Sequence, residues 1–166
     1  MNWHGTFEFE TLAAPDRNGN RAVLWRSDSK NSLADEGERN VLDSYLRNLS
    51  HPSQFFLRVF NDTPTETDSL RSLTGEPGFA NGYAQQQVLR SSNAAGWPTL
   101  GTSGGNAQAS SKQVTFDCTL AYTVSYAVLA TTSDNSGLLI SYGALSTTQS
   151  LASGDQLRVT YKPSLS

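Results

Sequence analysis

A chain of 166 residues with a net charge of −3, 37% hydrophobic and 16% charged residues can bury a core of its own, and its balance suits a β-protein with solvated loops better than a helical bundle. It holds no Lys/Arg run and no apolar stretch of membrane-spanning length, which argues against a nucleic-acid surface and against a membrane span. Its one cysteine, Cys118, precludes an internal disulfide, and residues 1–12 lack the basic start and apolar core of a signal peptide. Synthesis in a reducing cytoplasm is the expectation.

In chain order, Thr6 to Glu10 (TFEFE) alternates apolar and polar residues, and Arg21 to Trp25 (RAVLW) does so loosely. The segment between them, Pro15 to Asn20, contains Asn18-Gly19 and signals a turn. This reads as an N-terminal β-hairpin, and residues 1–31 are expected to form an extension that serves as a docking arm. Two strands alone are marginal in water, so the hairpin needs the main domain or another chain to pack on.

Ser32 to Leu49 has the one strong helical pattern, with Val41, Leu42, Tyr45, Leu46 and Leu49 forming an apolar stripe. Ser32 is the expected N-cap, and Asp35, Glu36 and Glu38 suit the first turns of the helix dipole. Gly37 is the weak point of the pattern. The helix, over residues 33–49, is expected to cover a face or edge of a sheet.

Gln54 to Asn61 (QFFLRVFN) predicts a strand on which Arg58 shares a face with Phe56 and Phe60, leaving that face partly wet. Asn61 to Asp68 reads as a polar loop, Tyr83 to Arg90 as a weaker strand, and Ser91 to Lys112 as a long, nearly low-complexity loop. Clean alternation returns at Gln113 to Thr119, with Val114, Phe116 and Cys118 in phase. Tyr122 to Ala130, Leu138 to Tyr142 and Leu157 to Tyr161 follow, separated by turns at Ser133–Gly137 and Ser153–Asp155. The pattern predicts a mainly β fold: an antiparallel, jelly-roll-like β-sandwich over residues 32–166 with one amphipathic helix and the N-terminal hairpin.

No catalytic, cofactor-binding or metal-binding constellation is visible. His4 and His51 lack partners at ligand spacing, and no nucleophile elbow is present. Gly101 to Gly105 is glycine-rich but is not followed by the Gly-Lys-Ser/Thr of a phosphate loop. Asp62, Glu66 and Asp68 do not follow an EF-hand spacing, and Cys118, in phase with apolar residues, reads as core. What remains are the aromatic residues: Trp3, Phe7, Phe9, Trp25 and Trp97 are candidate interface positions.

Four segments, in order, resemble a family of small tailed-bacteriophage virion structural proteins of tail-fibre or minor-tail type. They are Leu33 to Glu38 with the helix after it, Phe55 to Asp68, Gly82-Tyr83-Ala84-Gln85-Gln86, and Leu138 to Leu145 followed by Gly154 to Val159. The resemblance spans about Leu33 to Ser166, and Gln85 departs from it where the family often has Arg. It implies a non-enzymatic β-sandwich subunit without cofactor, located in the virion and bound to other virion proteins of tail, fibre or capsid. It also implies a homo-oligomer, with a trimer as the first expectation. Two alternatives stay open: a capsid decoration (cement) protein, and a host-surface carbohydrate-binding module that uses Trp97, Tyr83 and the loop around Trp97.

Overall fold

The computed structural model describes residues 3–47 and 51–166, the side chain of Tyr45 apart. Met1 and Asn2 of the expected arm, and the end of the expected helix with Leu49, lie outside the described residues.

Two antiparallel sheets face each other as a β-sandwich. The first has the order β2 (Val23–Lys30), β1 (Trp3–Leu12), β11 (Gln156–Leu165), β7 (Asn106–Ser110), β6 (Thr99–Ser103), with β8 (Val114–Asp117) also paired to β11. The second has the order β3 (Ser32–Leu33), β10 (Leu139–Leu151), β9 (Tyr122–Ala130), β4 (Gln54–Phe60), β5 (Gln86–Leu89). Period-two alternation fills the space between them: Phe7 and Phe9 of β1, Val114 and Phe116 of β8, and Leu157, Val159 and Tyr161 of β11 meet Leu57, Val59, Ala127, Leu129 and Ile140 of the facing sheet.

The N-terminal hairpin forms within the first sheet. β1 lies between β2 and β11 and is in register with β11 from Trp3↔Leu165 to Leu12↔Gln156. Residue 31, the expected domain boundary, therefore falls directly after an edge strand of the sandwich.

A second core lies on the outer face of the second sheet, where Phe60, Val128, Ala130 and Leu139 are covered by Ala34 and by Leu70 and Leu73 of the 61–85 excursion. β4 is thus covered on both sides, which explains its near-continuous apolar run. Val124 packs between the sheets and Val128 on the outer face, although both have the same parity. The β9–β10 register shifts between Ala144 and Gln149, and this irregularity exchanges the faces of β9.

The helix, α1 (Asp35–Leu46), departs from expectation at its start. Its N-cap is Ala34, not Ser32, because Ser32 and Leu33 are taken by strand pairing with Tyr142 and Ser141. In place of a capping side chain, the Asp35 N–H donates to Glu66 O (2.8 Å). Glu36 does more than complement the dipole, since its Oε2 accepts the Leu139 N–H at 2.7 Å. Gly37 answers to close packing: a Cβ there would lie 2.1 Å from the Ile140 carbonyl oxygen. The first turn is therefore docked tightly on β10, whereas Leu42 and Leu46 of the expected buried stripe are exposed.

The segment expected to be a long loop is a hairpin. Gly104 and Gly105 both have positive φ (58° and 85°), which suits a two-residue turn, and they join β6 to β7.

Candidate interaction surfaces

The structure brings the five candidate aromatic residues together, but around a sixth residue and largely inside. The Tyr161 ring is fully buried and stacks on Phe7 with centroids 4.4 Å apart. Phe7 stacks on Phe9, which in turn meets Trp25 at 6.4 Å. Trp97 stands edge-on to both Tyr161 (6.3 Å) and Phe55 (6.1 Å), and the Trp3 Nε1–H donates to the Tyr161 hydroxyl at 3.4 Å. Asn31 Nδ2 donates to the same oxygen at 2.9 Å. Burial, with these donors only partly compensating, raises the Tyr161 pKa.

Of the expected interface positions, alternation turns Phe7 and Phe9 towards the opposite sheet, where they are buried in the core. Trp3, Trp25 and Trp97 are half-buried; Trp25 and Trp97 pack with the core aromatics, and Trp3 reaches them through its hydrogen bond to Tyr161. Trp97 pins its segment to the sandwich, and Tyr83, stacked on Phe116 at 5.5 Å, is buried. The buried Tyr83 ring therefore offers no face to a sugar.

Arg58 anchors a polar network that sequence reasoning missed. Its guanidinium, 1% exposed, donates from Nε to Glu76 Oε1 (2.8 Å) and from Nη2 to Glu76 Oε2. It also donates to the Asp134 carbonyl (2.8 Å) and to Asn135 Oδ1 (2.7 Å), and it sits 5.2 Å from the centroid of the Phe60 ring. The Tyr83 hydroxyl donates to Glu76 Oε1 (2.5 Å) and accepts the Val59 N–H (3.3 Å), and Gln85 Nε2 also donates to Glu76 Oε1 (3.1 Å). Burial, and then the Glu76 charge, hold the Tyr83 pKa far above its ordinary value. The network ties β4, the Glu76 loop, the approach to β5 and the β9–β10 turn to one point. Signals for it were present in Arg58 amid apolar residues and in the Tyr83–Gln85 segment, but its partner Glu76 stands in an unremarkable loop.

Two surface features remain. An open groove of ≈ 600 Å³ runs over the outer face of the first sheet. Across it Glu10 pairs with Arg26 (2.5 Å) and Arg158 (3.3 Å), Glu8 pairs with Lys162 (2.5 Å), and Gln108 stands on the wall. The hydrogen bond from Arg26, foremost, lowers the Glu10 pKa. Elsewhere, large apolar side chains stand in solvent: Val23 and Leu24 on β2, Leu42 and Leu46 on α1, Leu100 on β6, and Phe79 with Leu120. The last two are held at one corner, where Asn81 accepts the Thr119 N–H (2.7 Å) and donates from Nδ2 to Leu120 O (3.3 Å).

Cys118 is buried, with Sγ 3.2 Å from Leu120 O, and burial raises its thiol pKa. Among the described residues no three His, Cys, Asp or Glu side chains converge as they would to hold a metal ion. No described helix is long and apolar enough to cross a membrane.

The sandwich, its cross-tied outer layer and its surface apolar groups belong to a phage tail-fibre-type structural protein. The family model described as Podophage GP4 fiber I protein gp80 matches residues 32–163, and the chain belongs to that family. No curated protein matches the chain. The match covers everything from β3 through most of β11 and leaves out β1 and β2.

Proposed function

We propose that this protein is a non-enzymatic subunit of a phage tail or fibre appendage, or of the adaptor joining one to the particle, and that it works by holding other virion proteins. The family match over residues 32–163 carries the reading. Support comes from how the fold uses its polar groups: Arg58, Glu76 and Tyr83 are consumed in cross-linking the scaffold, while apolar groups at Leu42, Leu46, Phe79 and Leu120 face outward. Such a scaffold offers rigid contact surfaces. Counting copies per purified virion by quantitative mass spectrometry tests the reading. An appendage subunit is present in few copies; copies on the order of hundreds, as repeated capsid symmetry produces, would make it a decoration protein instead.

Carbohydrate recognition has one observation in its favour, the polar groove over Glu8, Glu10, Arg26, Gln108 and Arg158. A glycan array on the isolated protein decides it. Binding abolished by Gln108→Ala and Arg158→Ala establishes the groove as a sugar site, and an array without signal removes it.

A further inference from the structure

Where β2 and β10 face each other across the two sheets, three buried side-chain atoms have no hydrogen-bond partner among the described residues: Ser29 Oγ, Asn31 Oδ1 and Ser141 Oγ. We propose that these atoms bind ordered water, and that this internal hydration site fastens the N-terminal hairpin to the rest of the sandwich. The inference concerns the isolated chain and does not rest on the appendage reading.

The three atoms belong to one seam. Phe7 pairs with Ser29 on one side and with Tyr161 on the other, so all three side chains share the inward face of the first sheet. Asn31 follows two residues after Ser29, with its N–H on Gly5 O (3.0 Å) and its Nδ2 donating to the Tyr161 hydroxyl (2.9 Å). The second sheet closes over them. Ser141 of β10 is fully buried, and among the groups that oppose the burial-driven rise of the Tyr161 pKa its side chain comes first. Gly143, two residues further along β10, comes down on Ser29: a Cβ there would lie 2.9 Å from Ser29 Oγ.

A buried hydroxyl or amide oxygen without a partner is costly, and native interiors hold few of them, so three in one seam call for a common cause. The set is chemically complementary: the Ser29 and Ser141 hydroxyls can donate and Asn31 Oδ1 can accept. Yet none of them meets another in hydrogen-bond geometry, which leaves a gap for something that both donates and accepts. Turning the Asn31 amide over does not close it. Oδ1 would then accept from Tyr161, and Nδ2 would be left over instead. The Tyr161 oxygen is already engaged by Trp3 Nε1 (3.4 Å) and Asn31 Nδ2, and it keeps a proton of its own to give. The set carries no carboxylate, so it suits a neutral ligand rather than a hard cation. Water meets these demands, since a buried water makes about three hydrogen bonds to groups left unmatched by the protein. Ser29 and Asn31 precede the family match at residues 32–163, whereas Ser141 and Tyr161 lie within it. The water thus bridges the part of the chain outside the match to the part inside.

A crystal structure of the full chain, at a resolution that shows ordered solvent, is the direct test. Water within hydrogen-bonding distance of Ser141 Oγ and Asn31 Oδ1 is the expected result. A dry seam, or the two side chains bonded directly to each other, overturns the proposal. The sign of an alanine substitution gives a second test in solution. At a dry site Ser141→Ala removes an unsatisfied hydroxyl, and the thermal midpoint stays or rises; at a hydrated site the water loses a partner, and the midpoint falls. Both Ser141→Ala and Ser29→Ala should lower the midpoint. An unchanged or raised midpoint in either folded variant counts against the site and overturns it. If Ser141→Ala does not fold, Ser29→Ala decides. None of these results bears on the copy count in virions, so the appendage reading stands or falls separately.

Discussion

Arg58 and Glu76 face each other at two points, Nε to Oε1 at 2.8 Å and Nη2 to Oε2, with the arginine shut off from solvent beneath the 61–85 excursion. Taking a guanidinium out of water is costly, so the pair's importance lies in what happens when one member is lost. Glu76→Ala strands the charge and should lower stability by about 3–5 kcal/mol in urea unfolding. Tyr83→Phe, which leaves the Val59 N–H without its acceptor, should cost about 1–3 kcal/mol. The double change Arg58→Met with Glu76→Leu should cost less than Glu76→Ala alone.

Phe7 meets Tyr161 on one side and Gly143 on the other, where a Cβ would lie 2.5 Å from the Phe7 ring. Phe7→Ala should therefore cost about 3–5 kcal/mol, as large aromatic truncations in a core do. Deleting residues up to Leu12 removes the ten-residue ladder to β11 and should abolish cooperative unfolding in calorimetry. A truncated chain absent from particles would then report a lost fold, so docking at this end is better examined by point changes on β2.

Gly37→Ala should destabilise, against propensity. Alanine favours a helix interior over glycine by about 1 kcal/mol. Here the added Cβ meets the Ile140 carbonyl and must push the first turn of α1 off β10. A drop in thermal midpoint together with faster exchange of the Leu139 amide, which Glu36 holds, is the expected outcome.

Acid should weaken the fold through carboxylates whose pKa is depressed. Glu10 is lowered first by its hydrogen bond from Arg26, and Asp68 first by the Thr65 backbone N–H. A depressed folded-state pKa contributes stability that is present above the unfolded value, near 4, and is lost as pH falls through the folded value. Stability should be flat near neutrality from these two groups and should decline below about pH 4. Glu10→Gln should make that decline shallower, by an amount in keeping with exposed pairs of about 0.2–1 kcal/mol. Urea midpoints measured across acid pH check it.

How far the fold was readable follows from how local its causes are. β9 was visible to the residue, β4 and β8 nearly so, and β11 in its first half, because alternation against a buried face is written in neighbouring residues. The β6–β7 hairpin was hidden by composition: Thr, Ser, Gly and Asn carry no hydrophobic period when no face of the strand is buried. The apolar stripe of α1 announced a helix correctly but not what it covers, since Leu42 and Leu46 face solvent while the small residues Ala34 and Gly37 make the contact. Alternation likewise identified Phe7 and Phe9 as a matched pair without revealing that the partner lay in the last strand. The Arg58 network joins four segments far apart in sequence, and no local pattern encodes such a meeting.

The pairing of β1 with β11 also sets the order in which the protein can be made. β1 is synthesised well before β11, and the ladder between them cannot form until both exist. Non-local pairing of this kind slows folding and leaves apolar strands uncovered meanwhile. Through the synthesis of everything between β1 and β11 the chain therefore carries Phe7 and Phe9 without the Tyr161 side of their cover. The ladder between β1 and β11 thus makes the cover of Phe7 and Phe9 depend on a strand that is translated more than 140 residues later.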